Sequence, residues 1–148
     1  MIAVSPQLVF EIANPLALVG WLLLLFAPLM PRVADRVAGY GIPILLAVVY
    51  LVMLVVHAPS ADGDFTSLDG IIQGFAVPGI AMAGWLHYLA LDLFVGGWEV
   101  RTARRERILH WQVVPCLALT LFAAPVGLAL FLGLRALHAR HASSGSLH

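Results

Sequence analysis

The sequence predicts an all-α integral membrane protein, a compact bundle of four transmembrane helices with proline-kinked spans. Three observations lead there. Of 148 residues, 61% are hydrophobic and only 11% charged, against about 45–50% and about 25% in soluble domains. Four apolar stretches approach the roughly 20 residues that a helix needs to cross a bilayer core. The basic residues are all arginine, and most fall in two connecting segments, as they do on the inner face of a membrane. The length fits a single domain. A net charge of zero provides no basic field to recruit nucleic acid, and the lone Cys116 excludes an internal disulfide. The N-terminal region lacks the short apolar stretch and small-residue cleavage site of a secretory leader, so its first apolar run is read as a permanent span.

The first span is expected over residues 6–29. Ser5 followed by Pro6 starts it well, a capping hydroxyl and then a residue whose missing N–H is not needed. Pro15 lies inside it and frees the carbonyl of Glu11. The second span, 42–57, is short, and borrows Gly39–Gly41 to reach across. The third, 75–97, has the required length. The fourth, 111–137, is bent by Pro115 and Pro125; such residues are tolerated where neighbours satisfy the freed backbone. Residues 59–74 form a polar central loop in which SLDGIIQGF reads as a short interfacial helix. Residues 138–148 read as a solvated tail.

Orientation follows the arginines. Arg32 and Arg36 lie between spans one and two, and Arg101, Arg104, Arg105 and Arg107 between three and four. Only Arg135 and Arg140 fall on the other side, where the central loop carries Asp62, Asp64 and Asp69. Both odd loops are therefore expected inside and both termini outside, with Trp98 and Trp111 as interfacial anchors. Glu11 and His57 share the outer half and are candidates to face each other. The RTARRER run is first a topology determinant and second a contact for anionic lipid.

Chemistry concentrates in GWLHYLALDLFVGGW, residues 84–98. An ionisable group near mid-bilayer costs about 2.5–3.5 kcal/mol on insertion scales, which makes it a functional candidate by default. His87 lies near the centre of span three, and Asp92 about 7.5 Å nearer the inner face. Their directions differ by roughly 140°, so they border one inward-facing sector without bonding each other. Tyr88 and Asp92 form an i, i+4 pair. The plain structural alternative satisfies each group locally: His87 on a backbone carbonyl, Asp92 on Tyr88. The functional alternative is a neutral carboxylic acid beside an apolar substrate, a general acid. Haem is disfavoured because His57, His87 and His110 sit at three depths. No HxxH or HxxxH pair occurs within a span, which argues against a di-iron site; a mononuclear site from His87, Asp92 and His110 stays open, the metal unknown. The histidines of the tail read as solvated surface. No nucleotide loop, hydrolase elbow or CxxC motif is present.

GWLHYLALDLFVGGWEV and, at 110–132, HWQVVPCLALTLFAAPVGLALFL closely resemble the abscisic-acid-deficient-four-like family. Trp85, His87, Leu89, Ala90, Asp92, Leu93, Phe94 and Gly96 match its H-x-L-A-x-D-L-F pattern position by position. His110, Cys116, Pro125 and Gly127 match a second motif, and NPLALVGWLLLLFAP at 14–28 resembles the first span. The chain departs from the plastid members in lacking a transit peptide and in reading GGWEV where glycine–arginine is common. It looks like a bacterial relative, expected in the inner membrane with periplasmic termini. The resemblance implies a role in xanthophyll metabolism, where plastid members are associated with neoxanthin synthesis. That step converts an epoxide to an allene with no net redox change, and needs an acid and a base. The resemblance makes His87, Asp92 and His110 the candidate catalytic residues, and the aromatic Trp85, Tyr88 and Phe94 the candidate substrate contacts. No cofactor is required. Expected partners are membrane lipid, a carotenoid or other isoprenoid ligand, and a second copy or a biosynthetic enzyme. Two alternatives stand beside the isomerase: a non-catalytic pigment- or lipid-binding accessory protein, and a small transporter that would need to oligomerise.

Overall fold

The computed structural model describes residues 5–60 and 66–144. Asp62 and Asp64, and the end of the tail, lie outside the described residues. The elements are α1 (Pro6–Leu25), α2 (Pro31–Val33), a π-helical stretch (Ala34–Gly41), α3 (Ile42–His57), a 3-10 turn (Ala58–Ser60), α4 (Leu68–Phe75), α5 (Pro78–Arg105) and α6 (His110–Ser144). Four helices are long and apolar enough to cross a membrane: Pro6–Leu25, Pro31–His57, Pro78–Arg105 and His110–Arg140.

The termini of α1 and α4 form as their sequences dictate. The Ser5 hydroxyl accepts from the Leu8 amide at 3.4 Å, and Pro15 sits inside an uninterrupted α1. Ser67 caps the expected interfacial helix α4, accepting from the Gly70 amide at 3.1 Å. Other boundaries differ from expectation. The second span begins eleven residues earlier than Ile42, because α2, the π stretch and α3 run on as one helical rod from Pro31. Arg32 and Arg36 therefore belong to a helix and not to a loop. The third span ends at Arg105, so Arg101, Arg104 and Arg105 ride on its last turns. Helix continues to Ser144 through residues expected to be tail.

The longer rods are held by polar and close-packed contacts near their arginine-rich end. The Arg101 guanidinium lies 3.3 Å from the Asp35 carboxylate, over the Tyr40 ring at 4.3 Å. Gly39 and Gly97 let the π stretch and α5 cross in direct backbone contact; a Cβ on either would collide with the partner helix or with Arg101. Glu11 and His57 do not pair. Gln7 donates to Glu11 at 2.8 Å, while the His57 ring lies 3.0 Å from the Met53 carbonyl and packs on Gly79.

The largest departure is in α6. Its first half runs from His110 to the region of Phe122; the backbone then leaves helical geometry at Ala123 (φ −157°, ψ 79°). Pro125 explains the break. It cannot donate to the Leu121 carbonyl, its ring clashes with that carbonyl, and it disfavours helix at the preceding residue. Beyond the break, α6 runs back beside its own first half. A straight helix would carry Arg135 about 37 Å from His110 at 1.5 Å per residue. Instead the Arg135 Nε donates to both oxygens of Glu106, at 3.0 and 2.8 Å, four residues before His110. Phe131 packs edge-on against Trp98 of α5 at 5.5 Å, and Gly127 rests on the backbone of Thr120. The α6 segment is a helical hairpin with its tip at Ala123–Pro125 and Arg135 at the same end of the bundle as Arg101.

Two expected results follow. In a Cys116→Ala background, single cysteines at Leu109→Cys and Ala136→Cys should react with a membrane-impermeant thiol reagent from one side, and Leu68→Cys from the other. Labelling of Ala136→Cys from the Leu68 side would mean a straight crossing. The second concerns pH. Hydrogen bonds from Arg135 are the main cause holding the Glu106 carboxyl below its usual pKa. A depressed pKa stabilises above the ordinary value of about 4.3, and that contribution is lost as pH falls through the folded value. A spin label at Ala136→Cys should be immobile at neutral pH and loosen in acid, whereas in Glu106→Gln it should be loose at both.

Candidate functional site

One face of α5 carries a polar stripe against the hairpin. Tyr88, Asp92 and Glu99 stand at i, i+4 and i+11, within about 40° of one another on an ideal helix. The Tyr88 hydroxyl donates to the Leu121 carbonyl at 3.0 Å. That carbonyl is the one Pro125 leaves without its helical donor, so the break in α6 and the position of Tyr88 satisfy each other. Asp92, one turn on, is buried, and its Oδ2 has no hydrogen-bond partner. Glu99 is completely buried. Thr120 donates to its Oε1 at 2.9 Å, and its Oε2 is also without a partner. Buried polar atoms are nearly always paired, so two unpaired carboxyl oxygens on one helix face call for an explanation.

His87 is placed differently from expectation. It is exposed, with its ring 5.8 Å from that of Tyr50 on α3. Leu91, between His87 and Asp92 on the helix surface, is 49% exposed. His87 and Leu91 therefore lie on an outward-facing surface of α5, with Asp92 buried on the adjoining face. His110 is not part of this group. Its Nε2 lies 2.9 Å from the Leu25 carbonyl at the arginine-rich end, about 15 Å along α6 from Thr120.

The aromatic candidates also separate. Trp85 stacks on Tyr88 with ring centroids 5.3 Å apart, and its indole N–H donates to Asn14 Oδ1 at 2.9 Å. Phe94 instead packs against Tyr40 at 6.2 Å, beneath the Arg101 guanidinium. Among the described residues, no three of His, Cys, Asp and Glu gather to hold a metal ion, so the mononuclear set of His87, Asp92 and His110 is not assembled. Sequence reasoning missed Glu99 and Thr120. The signal for Glu99 was its seven-residue spacing from Asp92, which repeats one helix face. Nothing in the sequence marked Thr120, whose role depends on the packing of α6 on α5.

Chemically, the stripe offers a carboxyl with a free oxygen and a phenol whose proton is committed to a carbonyl, with the His87 imidazole on the adjoining exposed face. Such a set can pass a proton to an oxygen and take one from a neighbouring carbon. The ABA DEFICIENT 4-like family model matches residues 8–131, which include every residue of this site. No curated protein and no solved structure matches the chain.

Proposed function

The chain belongs to the ABA DEFICIENT 4-like family of membrane proteins, linked to carotenoid metabolism, and from that premise we propose that it isomerises an oxygenated carotenoid or related isoprenoid within the bilayer. The observation that carries the reading is the free Oδ2 of buried Asp92 beside Tyr88. Because the Tyr88 proton is given to Leu121, Asp92 is the group left to act on a substrate oxygen. For an epoxide, the Asp92 carboxylic proton passes to the ring oxygen as one C–O bond breaks. His87 takes a proton from the adjacent carbon, and that C–H electron pair becomes the new double bond. The proton then returns from His87 to Asp92, so substrate and product have the same formula and no electron acceptor is consumed. Tyr88, held by Leu121, packs one turn from Asp92, and Trp85, stacked on Tyr88, forms an apolar wall. Water exclusion by the surrounding bilayer strengthens each of these electrostatic contacts.

The test is the pigment profile of an epoxy-carotenoid-producing host with and without this chain. The reading expects a new pigment of unchanged mass. A profile unaltered by normal accumulation of the protein would remove the isomerase and leave the pigment-binding alternative.

A further inference from the structure

A second stripe runs along α5, apart from the face that carries Asp92 and Glu99. Leu91, Phe94, Trp98, Arg101 and Arg105 recur at spacings of four and three, within about 40° of the line through Arg105 on an ideal helix. Phe94 is 41% exposed, and Leu91 is exposed one turn before it. Toward the arginine-rich end the stripe enters an open pocket of about 390 Å³, lined by Tyr40, Phe94, Trp98, Arg101, Arg104 and Arg105. Three guanidinium groups and three aromatic rings thus share one concavity, at the end of a helix long enough to cross the membrane.

The charges of the pocket do not balance. Asp35 lies 3.3 Å from Arg101 and 3.9 Å from Arg104. Glu106, at the same end, is taken by Arg135. Arg105 donates to the Thr102 hydroxyl at 3.2 Å, and among the described residues no carboxylate stands within ion-pair distance of it. One Asp35 carboxylate therefore serves three guanidinium groups. Arg101 is fixed between that carboxylate and the rings of Tyr40 and Phe94, 4.3 and 5.6 Å from its guanidinium carbon. Arg104 and Arg105 are exposed and keep N–H donors for another acceptor.

We propose that this pocket binds the headgroup of an anionic phospholipid, with its phosphate on Arg104 and Arg105 and an acyl chain along Phe94 and Leu91. Guanidinium groups match phosphate oxygens through paired N–H donors. The surplus of arginine selects net negative charge, because a zwitterionic headgroup brings a cation that the arginines repel. The apolar half of the stripe selects a lipid over free phosphate. Phe94 stands about 10 Å from Arg101 toward the middle of the helix, where acyl carbons and not water meet the protein. Tyr40 and Trp98 lie between the two halves, as aromatic rings do at a membrane interface. The site requires nothing of Asp92 and is independent of the isomerase reading.

The test counts lipid bound to the full chain by native mass spectrometry in detergent, titrated with phosphatidylglycerol or with phosphatidylcholine of the same acyl chains. Arg105→Gln removes a donor from the pocket; Arg107→Gln removes the same charge two residues on, outside the lining. The wild type and Arg107→Gln should prefer phosphatidylglycerol. Arg105→Gln should bind it roughly tenfold more weakly, the loss of one hydrogen bond to a charged group, with phosphatidylcholine binding unchanged. Inorganic phosphate at the concentration of the lipid should not displace it. Equal weakening in the two variants would mean diffuse attraction to the arginines and overturn the pocket, as would a wild type without headgroup preference. Displacement by phosphate would overturn the lipid in favour of a small-anion site.

Discussion

Asp92→Asn should lower isomer formation by about 10²–10⁴-fold, the range for loss of a positioned general acid, while the protein still inserts and accumulates. The substitution keeps the size and planarity of the side chain, so packing against the hairpin and the neighbouring Tyr88 are preserved. What it removes is the transferable proton. The outcome separates chemistry from architecture, because Asp92 Oδ2 has no partner whose loss would weaken the fold. Were Asp92 a structural clasp, the asparagine variant would fail to accumulate, or would accumulate with full activity because the amide replaces the carboxyl's contacts. Pigment chromatography and immunoblotting of the same membranes decide among these.

Gly127→Val should open the hairpin. Gly127 sits on the Thr120 backbone so closely that any Cβ meets main-chain and hydroxyl atoms at once. Overpacking of this kind costs about 1–3 kcal/mol. Displacing Thr120 would also take the hydrogen bond from Glu99, leaving a fully buried carboxyl with neither oxygen paired. A buried polar group stripped of its partner adds about 1–3 kcal/mol, so a loss on the order of 3 kcal/mol or more is expected. Gly133 is the internal control. It lies six residues further along the same helix with nothing near its Cβ position, and Gly133→Val should change stability by well under 1 kcal/mol. Detergent-titrated unfolding of the two variants beside the wild type measures the difference. Comparable losses at both positions would mean that the second half of α6 is not packed on the first.

What was legible in the sequence depended on whether a feature is local. Ser5–Pro6 and Ser67 specify their helix starts through the next three residues, and both are found as expected. Hydropathy located four long apolar helices, because length and composition alone define such a candidate. It misplaced their ends near the arginines. Arg101 looked like a loop residue by charge, yet Asp35 and the Tyr40 ring, far away in sequence, hold it on α5. The path of α6 was not legible. Pro125 signalled a bend, but a bend and a reversal differ only in tertiary contacts: Gly127 on Thr120, Phe131 on Trp98, Arg135 on Glu106. Glu99–Thr120 depends on how the first half of α6 packs on α5, which no local signal gives. That Tyr88 and Asp92 share one face needed only helical periodicity, but that the Tyr88 hydroxyl would donate to Leu121 and not to Asp92 depended on the break in α6.

The decisive measurement is incubation of the purified chain in lipid nanodiscs with an epoxy-carotenoid, followed by chromatography and mass spectrometry of the recovered pigment. A product of identical mass and altered retention is expected from the wild type and not from Asp92→Asn. A product of different mass, or equal conversion by Asp92→Asn, would contradict the isomerase reading.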